Sequence, residues 1–449
     1  MPTDLHNKEK PPLTGEVARS AGGVYNTRQM NQTILDLICY LPAKLYLLLT
    51  RLHDHINRQR SRKQMRLEGM DIKIETTLSK NIKKRILFYH ISGLSFGGTE
   101  KHLQILAKHI DKTVFDVFFL YSPKSTGDNN DRSNYFKQSG VTLIPFNYDY
   151  VEKEYPYIVH GTDPSIFEVI RRFHIDLMVT ADAGYAHFPI NLIQDIPIVL
   201  INVFGAIHNQ DNIMANIGVS KMITNKICPF VPQNKLYRMY VPSEGPDVGA
   251  KERGLALRHQ LNIKDTDMVF GRIGRASDSI FDPIGIRAFK RLVAEDATVH
   301  YLIMSPPPAL EKIVKDDAIP NIHFLAPTSK ESEVWAFHNA IDALAHFRKD
   351  GETFGLNIAE AMLCGKPILT HISKVDNAHL EYLEPAFSRV ASVDSVTEYY
   401  QNMKSFTQYK IDGTLIEMGK LAKIQADKLF LINTAIIQFE TILRPLLKP

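Results

Sequence analysis

Compact apolar runs alternate with helical patterns along most of the chain, from about residue 84 onward. The run Arg85–Ile91 is followed by a glycine loop and then by Lys101–Ile110, in which apolar residues recur at helical spacing. Strands that alternate with helices in this way are typical of parallel, doubly wound sheets. The pattern therefore predicts an α/β protein.

The alternation occurs twice, which predicts two Rossmann-like domains, over residues 84–245 and 246–425. The polar stretch Val241–Gly249, which contains Pro and Gly, predicts the linker between them. The predicted strands are Arg85–Ile91, Phe115–Tyr121, Val141–Phe146, Asp176–Thr180, Ile198–Phe204, Met268–Ile273, Val299–Met304, Ile322–Leu325 and Ile341–Phe347. The predicted helices are Lys101–Ile110, Ser165–Phe173, Pro283–Glu295, Lys330–Asn339 and Ala426–Leu443.

Residues 1–83 form an extension with a polar start that predicts disorder. An apolar segment then leads into basic residues, over residues 34–66, but Asp36, Pro42 and Lys44 interrupt it and argue against a membrane span. Two interpretations stay open for this segment. It is either an amphipathic basic helix on an anionic membrane surface, or a helix packed on the body of the protein.

The window from residue 351 to residue 367 carries the most specific chemistry. It follows the strand Ile341–Phe347 and places Glu352 in a loop and Glu360 in the helix after a glycine turn. Backbone N–H groups at a helix start bind anions, and carboxylates accept hydrogen bonds from hydroxyls. Donors for phosphate beside acceptors for sugar hydroxyls suit a nucleotide-sugar. The alternative is an ordinary helix start, with Glu360 as a solvated residue.

The sequence GETFGLNIAEAMLCGKPIL resembles the donor-site signature of retaining glycosyltransferases of the group 1 (family 4) type. The resemblance implies a GT-B fold, in which two Rossmann-like domains face a cleft. It places Glu352 by the transferred sugar, Glu360 on the ribose, and the backbone of Phe354, Gly355 and Leu356 along the diphosphate. It also implies that the C-terminal segment, residues 426–449, crosses back onto the first domain.

The glycine loop in GGTEKHLQILAKHI resembles the first loop and helix of the same family. There, the backbone of Gly97 and Gly98 would approach the donor's phosphates or the acceptor. The alternative is a tight turn that uses glycine for its backbone freedom. A dinucleotide site is excluded, because the spacing is not Gly-x-Gly-x-x-Gly and the second strand ends at Tyr121 rather than at an acid.

Arginine suits a diphosphate because its planar fork matches phosphate oxygens. The sequence GRIGR resembles the family's Gly-Arg element at the start of the second domain. Arg275 is the better match by its distance from Ala288-Phe289, and Arg272 is the second candidate. The alternative is a pair of surface arginines at a strand end.

The chain departs from the family pattern after these arginines. The positions of the usual phosphate-binding Lys and its Gly are Ile280 and Phe281, and Ser305–Pro308 replaces a glycine-rich turn. Lys349, or Arg348 beside it, is the cation expected to compensate.

The resemblance implies a reaction without a protein base, in which the leaving phosphate takes the acceptor's proton and the protein positions and stabilises charge. A histidine of the first domain usually lies near the sugar, and His208 is the nearest candidate, with His187 second. A bland surface or core role is the alternative for each. The lone Asp265-Thr266-Asp267 suits a polar turn better than a metal site, so no metal is predicted.

Composition narrows the partners and the compartment. The net charge of +4 over 449 residues gives no case for nucleic-acid binding. The three cysteines are far apart, and no signal peptide opens the chain, so we expect a cytoplasmic protein. If residues 34–66 bind a membrane surface, we expect the protein to be peripheral on the inner face of the membrane.

The sequence thus predicts a retaining, metal-independent, hexosyltransferase-type enzyme. Its donor would be a nucleotide-diphosphate-sugar and its acceptor a saccharide or a lipid-linked hydroxyl; no cofactor is implied, since the nucleotide-sugar is a substrate. Two alternatives stay open. One is a nucleotide-sugar epimerase or hydrolase of the same fold, and the other is a catalytically degenerate binding subunit.

Overall fold

The structure of the protein is a computed structural model that describes residues 83–90, 92–121, 132–145, 166–184, 190–207 and 210–447, together with residue 52. The predictions for the N-terminal extension, including the amphipathic helix and membrane contact of residues 34–66, lie outside these ranges apart from residue 52. Within the described ranges, no helix has the length and apolar character needed to cross a membrane.

The first domain contains the strands β1 (Lys84–Tyr89), β2 (Phe115–Tyr121), β3 (Val141–Pro145), β4 (Leu177–Asp182), β5 (Ile198–Asn202), β6 (Ile213–Gly218) and β7 (Leu236–Arg238). Its helices are α1 (Gly98–His109), α2 (Ile166–Arg172) and α3 (Lys221–Ile227). The described strands form one parallel sheet in the order β3-β2-β1-β4-β5-β6-β7. The chain order reverses between β1 and β4, which opens a crevice at the carboxyl ends of these strands.

The central strand β1 is apolar without alternation because both faces of the sheet are covered. Ile86, Leu87 and Phe88 are fully buried, as expected for a strand with helices on each side. Helix α1 packs on one face through Leu103 and Leu106. It begins at Gly98, before the first apolar position, because a helix start is set by its cap rather than by its hydrophobic period.

The second domain contains the strands β8 (Met268–Ile273), β9 (Val299–Met304), β10 (Ile322–Leu325), β11 (Ala343–Ala345), β12 (Gly351–Glu352), β13 (Ile368–His371), β14 (Asp376–Asn377) and β15 (Ser388–Ala391). Its helices are α4 (Ala250–Gln260), α5 (Ile284–Glu295), α6 (Pro308–Asp316), α7 (Glu331–Ala340), α8 (Leu356–Leu363) and α9 (Val396–Ile411). Six of the described strands form a parallel sheet in the order β10-β9-β8-β11-β13-β15. This order reverses between β8 and β11, so the loops after these strands flank a second crevice.

Two further helices end the described chain, α10 (Thr414–Phe430) and α11 (Ile432–Leu446). The sequence predicted one helix over Ala426–Leu443, but the backbone is extended at Leu431. At this break the linker supplies a partner for the end of α10, because the Ser243 amide donates to the Phe430 carbonyl oxygen at 2.9 Å. Helix α11 then packs on the first domain, where the ring of Phe439 lies 6.2 Å from that of Phe88.

The two crevices face one another across a cleft. Contacts between α1 of the first domain and α8 of the second domain close one side of the cleft. On the other side, Lys226 of α3 lies 2.7 Å from Asp376 of β14. The architecture is therefore that of two doubly wound parallel-sheet domains with their switch points opposed, as the sequence predicted.

Candidate active site

Helix α8 begins at a glycine with a left-handed backbone. Gly355 is its N-cap, with φ of 90° and ψ of 66°, a conformation that costs an L-residue about 1–2 kcal/mol. The amides of Leu356 and Asn357 in the first turn have no partner within the helix. Such a start at the carboxyl edge of a parallel sheet is suited to bind an anionic group.

An aromatic cluster beneath the turn holds its shape. Phe354 is buried, and its ring lies 5.7 Å from Tyr382, 5.9 Å from Tyr240 and 5.5 Å from Phe430. The hydroxyl of Tyr382 donates to the Phe354 carbonyl oxygen at 2.5 Å. The Phe354 side chain is therefore a packing anchor, which leaves only the backbone of the turn to meet a ligand.

Glu352 precedes this turn, in the short parallel pair of β12 and β14. Its Oε1 lies 3.0 Å from Nε2 of His346, and its Oε2 lies 3.4 Å from Nη1 of Arg348. Burial by itself raises the pKa of Glu352, but the hydrogen bond from His346 and the charge of Arg348 outweigh it and hold the pKa at about 2. Glu352 is therefore an ionised carboxylate and an acceptor only.

Glu360 lies one helical turn further into the domain, and it is 4% exposed, so it is not a solvated helical residue. Its Oε1 lies 2.6 Å from Nζ of Lys101, which belongs to α1 of the first domain. His338 of α7 places Nε2 3.6 Å from the other oxygen. Burial raises the pKa of Glu360, but the charge of Lys101 and the nearby His338 outweigh it and hold that pKa well below its ordinary value.

Lys101 has a second carboxylate within reach. Glu331, the first residue of α7, places Oε1 3.2 Å from Nζ of Lys101. The same oxygen lies 2.8 Å from Nη2 of Arg132, another residue of the first domain. At this edge of the cleft, Lys101 and Arg132 of the first domain thus form ion pairs with glutamates of the second domain.

The candidate arginines have different environments. Arg272 lies within β8 and is 3% exposed, with its guanidinium 5.2 Å from the ring centroid of Phe347. Its Nη1 is buried and has no hydrogen-bond partner among the described residues, which is costly for a charged donor. Arg275, the better family match, is exposed in the loop after β8. Both lie at the carboxyl end of a switch-point strand.

The cations expected to replace the missing lysine are placed differently. Arg348 binds both oxygens of Asp350, at 2.6 Å and 2.9 Å, in addition to Glu352. The pKa of Arg348 is raised because these carboxylates outweigh its burial. Lys349 is exposed, and its amide donates to the Ile280 carbonyl oxygen at 3.0 Å. The Arg348 guanidinium is therefore engaged by the carboxylates of Asp350 and Glu352, whereas the Lys349 side chain is exposed to solvent.

Gly97 and Gly98 mark the start of α1 across the cleft. Gly97 is its N-cap, with extended backbone at φ of −101°. A side chain at Gly97 would meet the carboxylate of Glu100, whereas Gly98 is exposed and has open space at its Cβ position. Open space beside a helix start agrees with close approach of a ligand, although it does not require one.

The two histidine candidates, His208 and His187, lie outside the described residues. Asp265 and Asp267 have separate partners: Oδ1 of Asp265 lies 3.9 Å from His259, and Oδ2 of Asp267 lies 3.4 Å from His300. In the described part of the chain, no group of three or more His, Cys, Asp or Glu could hold a metal ion.

Lys101 and His346 are among the residues of this site that sequence reasoning missed. Lys101 looked like one polar position of a predicted helix, and only the tertiary structure brings it to Glu360. His346 was read as part of a buried strand, but β11 ends at Ala345. A polar side chain at the end of a switch-point strand was the signal that could have identified it.

No family model matches the chain, and a search of curated proteins finds no match. Solved structures do match. A glycosyltransferase from Rickettsia africae is similar over 82% of this chain and 99% of its own, with a TM-score of 0.63 and 10% identity. HepE from Anabaena, solved with UDP-glucose, covers 80% of this chain and 99% of its own, with a TM-score of 0.60 and 17% identity.

A sucrose-phosphate synthase from Thermosynechococcus elongatus has a TM-score of 0.59 and 14% identity, over 81% of this chain and 99% of its own. At such identities the likeness defines the fold. The GT-B architecture that the sequence predicted, and with it the resemblance to GT-B glycosyltransferases, is confirmed at the level of the fold.

Proposed function

We propose that this protein is a glycosyltransferase that moves a sugar from a nucleotide-diphosphate-sugar to an acceptor hydroxyl. One observation carries the proposal: two ionised carboxylates, the partly buried Glu352 and the buried Glu360, lie on either side of the Gly355 turn in a GT-B cleft. The turn offers amides for phosphate, and the carboxylates accept hydroxyl hydrogens. Structural neighbours that hold UDP or UDP-glucose lend further support.

The ribose would bind at Glu360, with its hydroxyls donating to the carboxylate. Lys101 now lies against that carboxylate, at 2.6 Å, so the ribose would have to displace it. Lys101 would keep a partner when it moves, because Glu331 is already 3.2 Å away. Donor entry on this side of the cleft therefore exchanges one ion pair for another rather than leaving a buried cation alone.

The diphosphate would bind at the amides of Leu356 and Asn357. Positive charge for the leaving phosphates would come from Arg272, whose buried Nη1 is unsatisfied, and from the exposed side chains of Arg275 and Lys349. The backbone of Gly97 and Gly98 would approach from the opposite side of the cleft. These side chains would supply the positive charge that the family's phosphate-binding lysine provides at the position of Ile280.

The reaction would retain configuration and need no metal. Glu352 is held ionised by His346 and Arg348, so it is an acceptor for sugar hydroxyls rather than a proton donor. The departing phosphate would take the acceptor's proton, while protein charges stabilise the leaving group. His208 remains the candidate contact from the first domain, and the acceptor is a saccharide or a lipid-linked hydroxyl.

The test is a thermal-shift panel of nucleoside diphosphates and their sugar conjugates, followed by a transfer assay with the conjugates that bind. A ligand that binds only the folded state raises the melting temperature. Glu352→Gln should abolish most transfer, and Glu360→Gln should weaken nucleotide binding. Full activity in both variants would remove the assignment, and binding without any turnover in the wild type would indicate a binding subunit.

A further inference from the structure

The carboxylate of Glu352 is connected to a chain of buried polar groups behind it. His346 is 4% exposed and His379 is 1% exposed. Nδ1 of His346 lies 3.3 Å from Oγ1 of Thr370, and the same hydroxyl lies 3.3 Å from Nε2 of His379. With the 3.0 Å contact to Glu352, four side chains form one continuous hydrogen-bonded series.

Hydrogen-bond chemistry limits the possible directions of this series. Glu352 is ionised and only accepts, so Nε2–H of His346 must donate to it. Burial lowers the pKa of His379 to about 3, and it is therefore neutral with a single ring proton. With a single ring proton on His346 as well, one order satisfies all four groups: His379 Nε2–H donates to Thr370, the Thr370 hydroxyl donates to Nδ1 of His346, and His346 donates to Glu352.

The backbone holds His346 rigidly at the head of the series. Its amide donates to the Leu369 carbonyl oxygen at 2.7 Å, across the pairing of β11 with β13. The Tyr399 hydroxyl donates to its carbonyl oxygen at 3.0 Å. Thr370 lies on β13 itself and His346 directly follows β11, so adjacent strands set the position of both ends of the His346–Thr370 contact.

Glu352 keeps acceptor capacity after these contacts. Within the described ranges, each of its oxygens has one partner, at 3.0 Å for His346 and 3.4 Å for Arg348, whereas a carboxylate offers about four acceptor sites. Its side chain is still 13% exposed. The remaining lone pairs are thus available to hydroxyls, in an orientation that the protein has already fixed.

We propose that His346 is the positioning residue of Glu352, and that the series through Thr370 and His379 holds its imidazole so that the carboxylate faces the hydroxyls of the transferred sugar. This inference rests on the proposed function for its substrate, but not for its geometry. The preorganisation spares the enzyme the cost of orienting the carboxylate during the reaction. A hydrogen bond to a charged group, here the Glu352 carboxylate, contributes about 1.5–3 kcal/mol of stabilisation.

The test compares His346→Leu with His346→Gln in the full chain. Leucine fills space but cannot donate, whereas glutamine can donate to Glu352 and accept from Thr370. With a conjugate that the panel identifies, we expect His346→Leu to lower turnover by about 10- to 150-fold, the equivalent of that hydrogen bond. We expect the dissociation constant of the nucleoside diphosphate alone to change little, because the proposed function places it at Glu360 and the Gly355 turn rather than at Glu352.

His346→Gln should recover much of the turnover that His346→Leu loses. Two further variants extend the comparison, and the first of them, Thr370→Val, should show an intermediate loss of turnover. His323→Gln, a partly buried histidine at the β10 edge that pairs with His300 at 3.0 Å, is the matched control and should change nothing. A role in packing alone would make leucine as good as glutamine, or would weaken nucleotide and sugar binding together, and either result overturns the proposal.

A separate measurement needs no donor. Imidazole ¹⁵N shifts of labelled protein, with His346→Gln used for assignment, should place the His346 proton on Nε2 and show that Thr370→Val disturbs it. A proton on Nδ1 alone, or no response to Thr370→Val, contradicts the series. If no conjugate binds the wild type, the proposed function fails, while this measurement still decides the arrangement of His346.

Discussion

Replacing Lys101 by methionine should expose how strongly the two domains depend on one buried ion pair. The change keeps the aliphatic stem of the side chain but leaves Glu360 as an uncompensated buried carboxylate. Removing one partner of such a pair typically destabilises a protein by about 3–5 kcal/mol. The electrostatics of Glu360 agree in sign. Its pKa is held below the ordinary value despite burial, and Lys101 is the largest contributor to that lowering.

The pH dependence gives this prediction its sign. Because the folded-state pKa of Glu360 is depressed, its stabilising contribution is present above about pH 4.5 and is lost as the pH falls from there towards 2. Without Lys101, only His338 opposes the effect of burial, and the pKa of Glu360 should rise. The penalty in Lys101→Met should therefore be largest near pH 7 and should shrink on acidification, as Glu360 becomes neutral.

The assay is urea unfolding at pH 7 and at about pH 4, with small-angle scattering to detect separation of the domains. Lys101→Met with Glu360→Gln should recover most of the stability, because neither charge then remains. Lys108→Met is the matched control on the same helix: its pair with Glu244 is 27% and 28% exposed, and it should cost about 1 kcal/mol or less. A loss in Lys101→Met below about 1 kcal/mol, with an unchanged radius of gyration, would refute the reasoning.

Three further predictions address the turn, the first carboxylate and the last helix. Gly355→Ala should cost about 1–2 kcal/mol in urea unfolding, because φ is 90°, and should weaken diphosphate binding; an unchanged midpoint contradicts this. Glu352→Gln should flatten the loss of stability between about pH 4.5 and 2, since the pKa of Glu352 is held at about 2; unaltered acid titration of stability would be the opposing result. Phe439→Ala should destabilise by about 3–5 kcal/mol, because a fully buried ring against Phe88 is lost; a smaller change in calorimetry means that α11 is a loose appendage.

Much of the fold could be predicted because both sheets are parallel. Strands covered on both faces are continuous apolar runs, and the bounds of Val299–Met304 and Ile322–Leu325 in the sequence pattern are those of β9 and β10. Other elements had weaker patterns. Strand β7 has only three residues, none of them buried, and α4 has hardly any apolar face. Their place depends on neighbours that a local pattern does not contain.

The candidate site divides in the same way. Glu352, Gly355 and Glu360 lie within nine residues, so their spacing and the glycine turn were legible along the chain. The sequence could not show which of Arg272 and Arg275 is buried and which is exposed, because this depends on how the second domain packs.

By itself, the sequence determined the α/β class, the two repeats of strand and helix, and the paired acids around a helix start, because each is written in neighbouring residues. Only the tertiary structure decided the partners of those acids. Lys101 reaches Glu360 across 259 positions of the chain and from another domain, and His346 meets Thr370 through strands that pair 24 positions apart. Electrostatic interactions act through space, so the charge and orientation of each carboxylate become defined only when distant segments pack together.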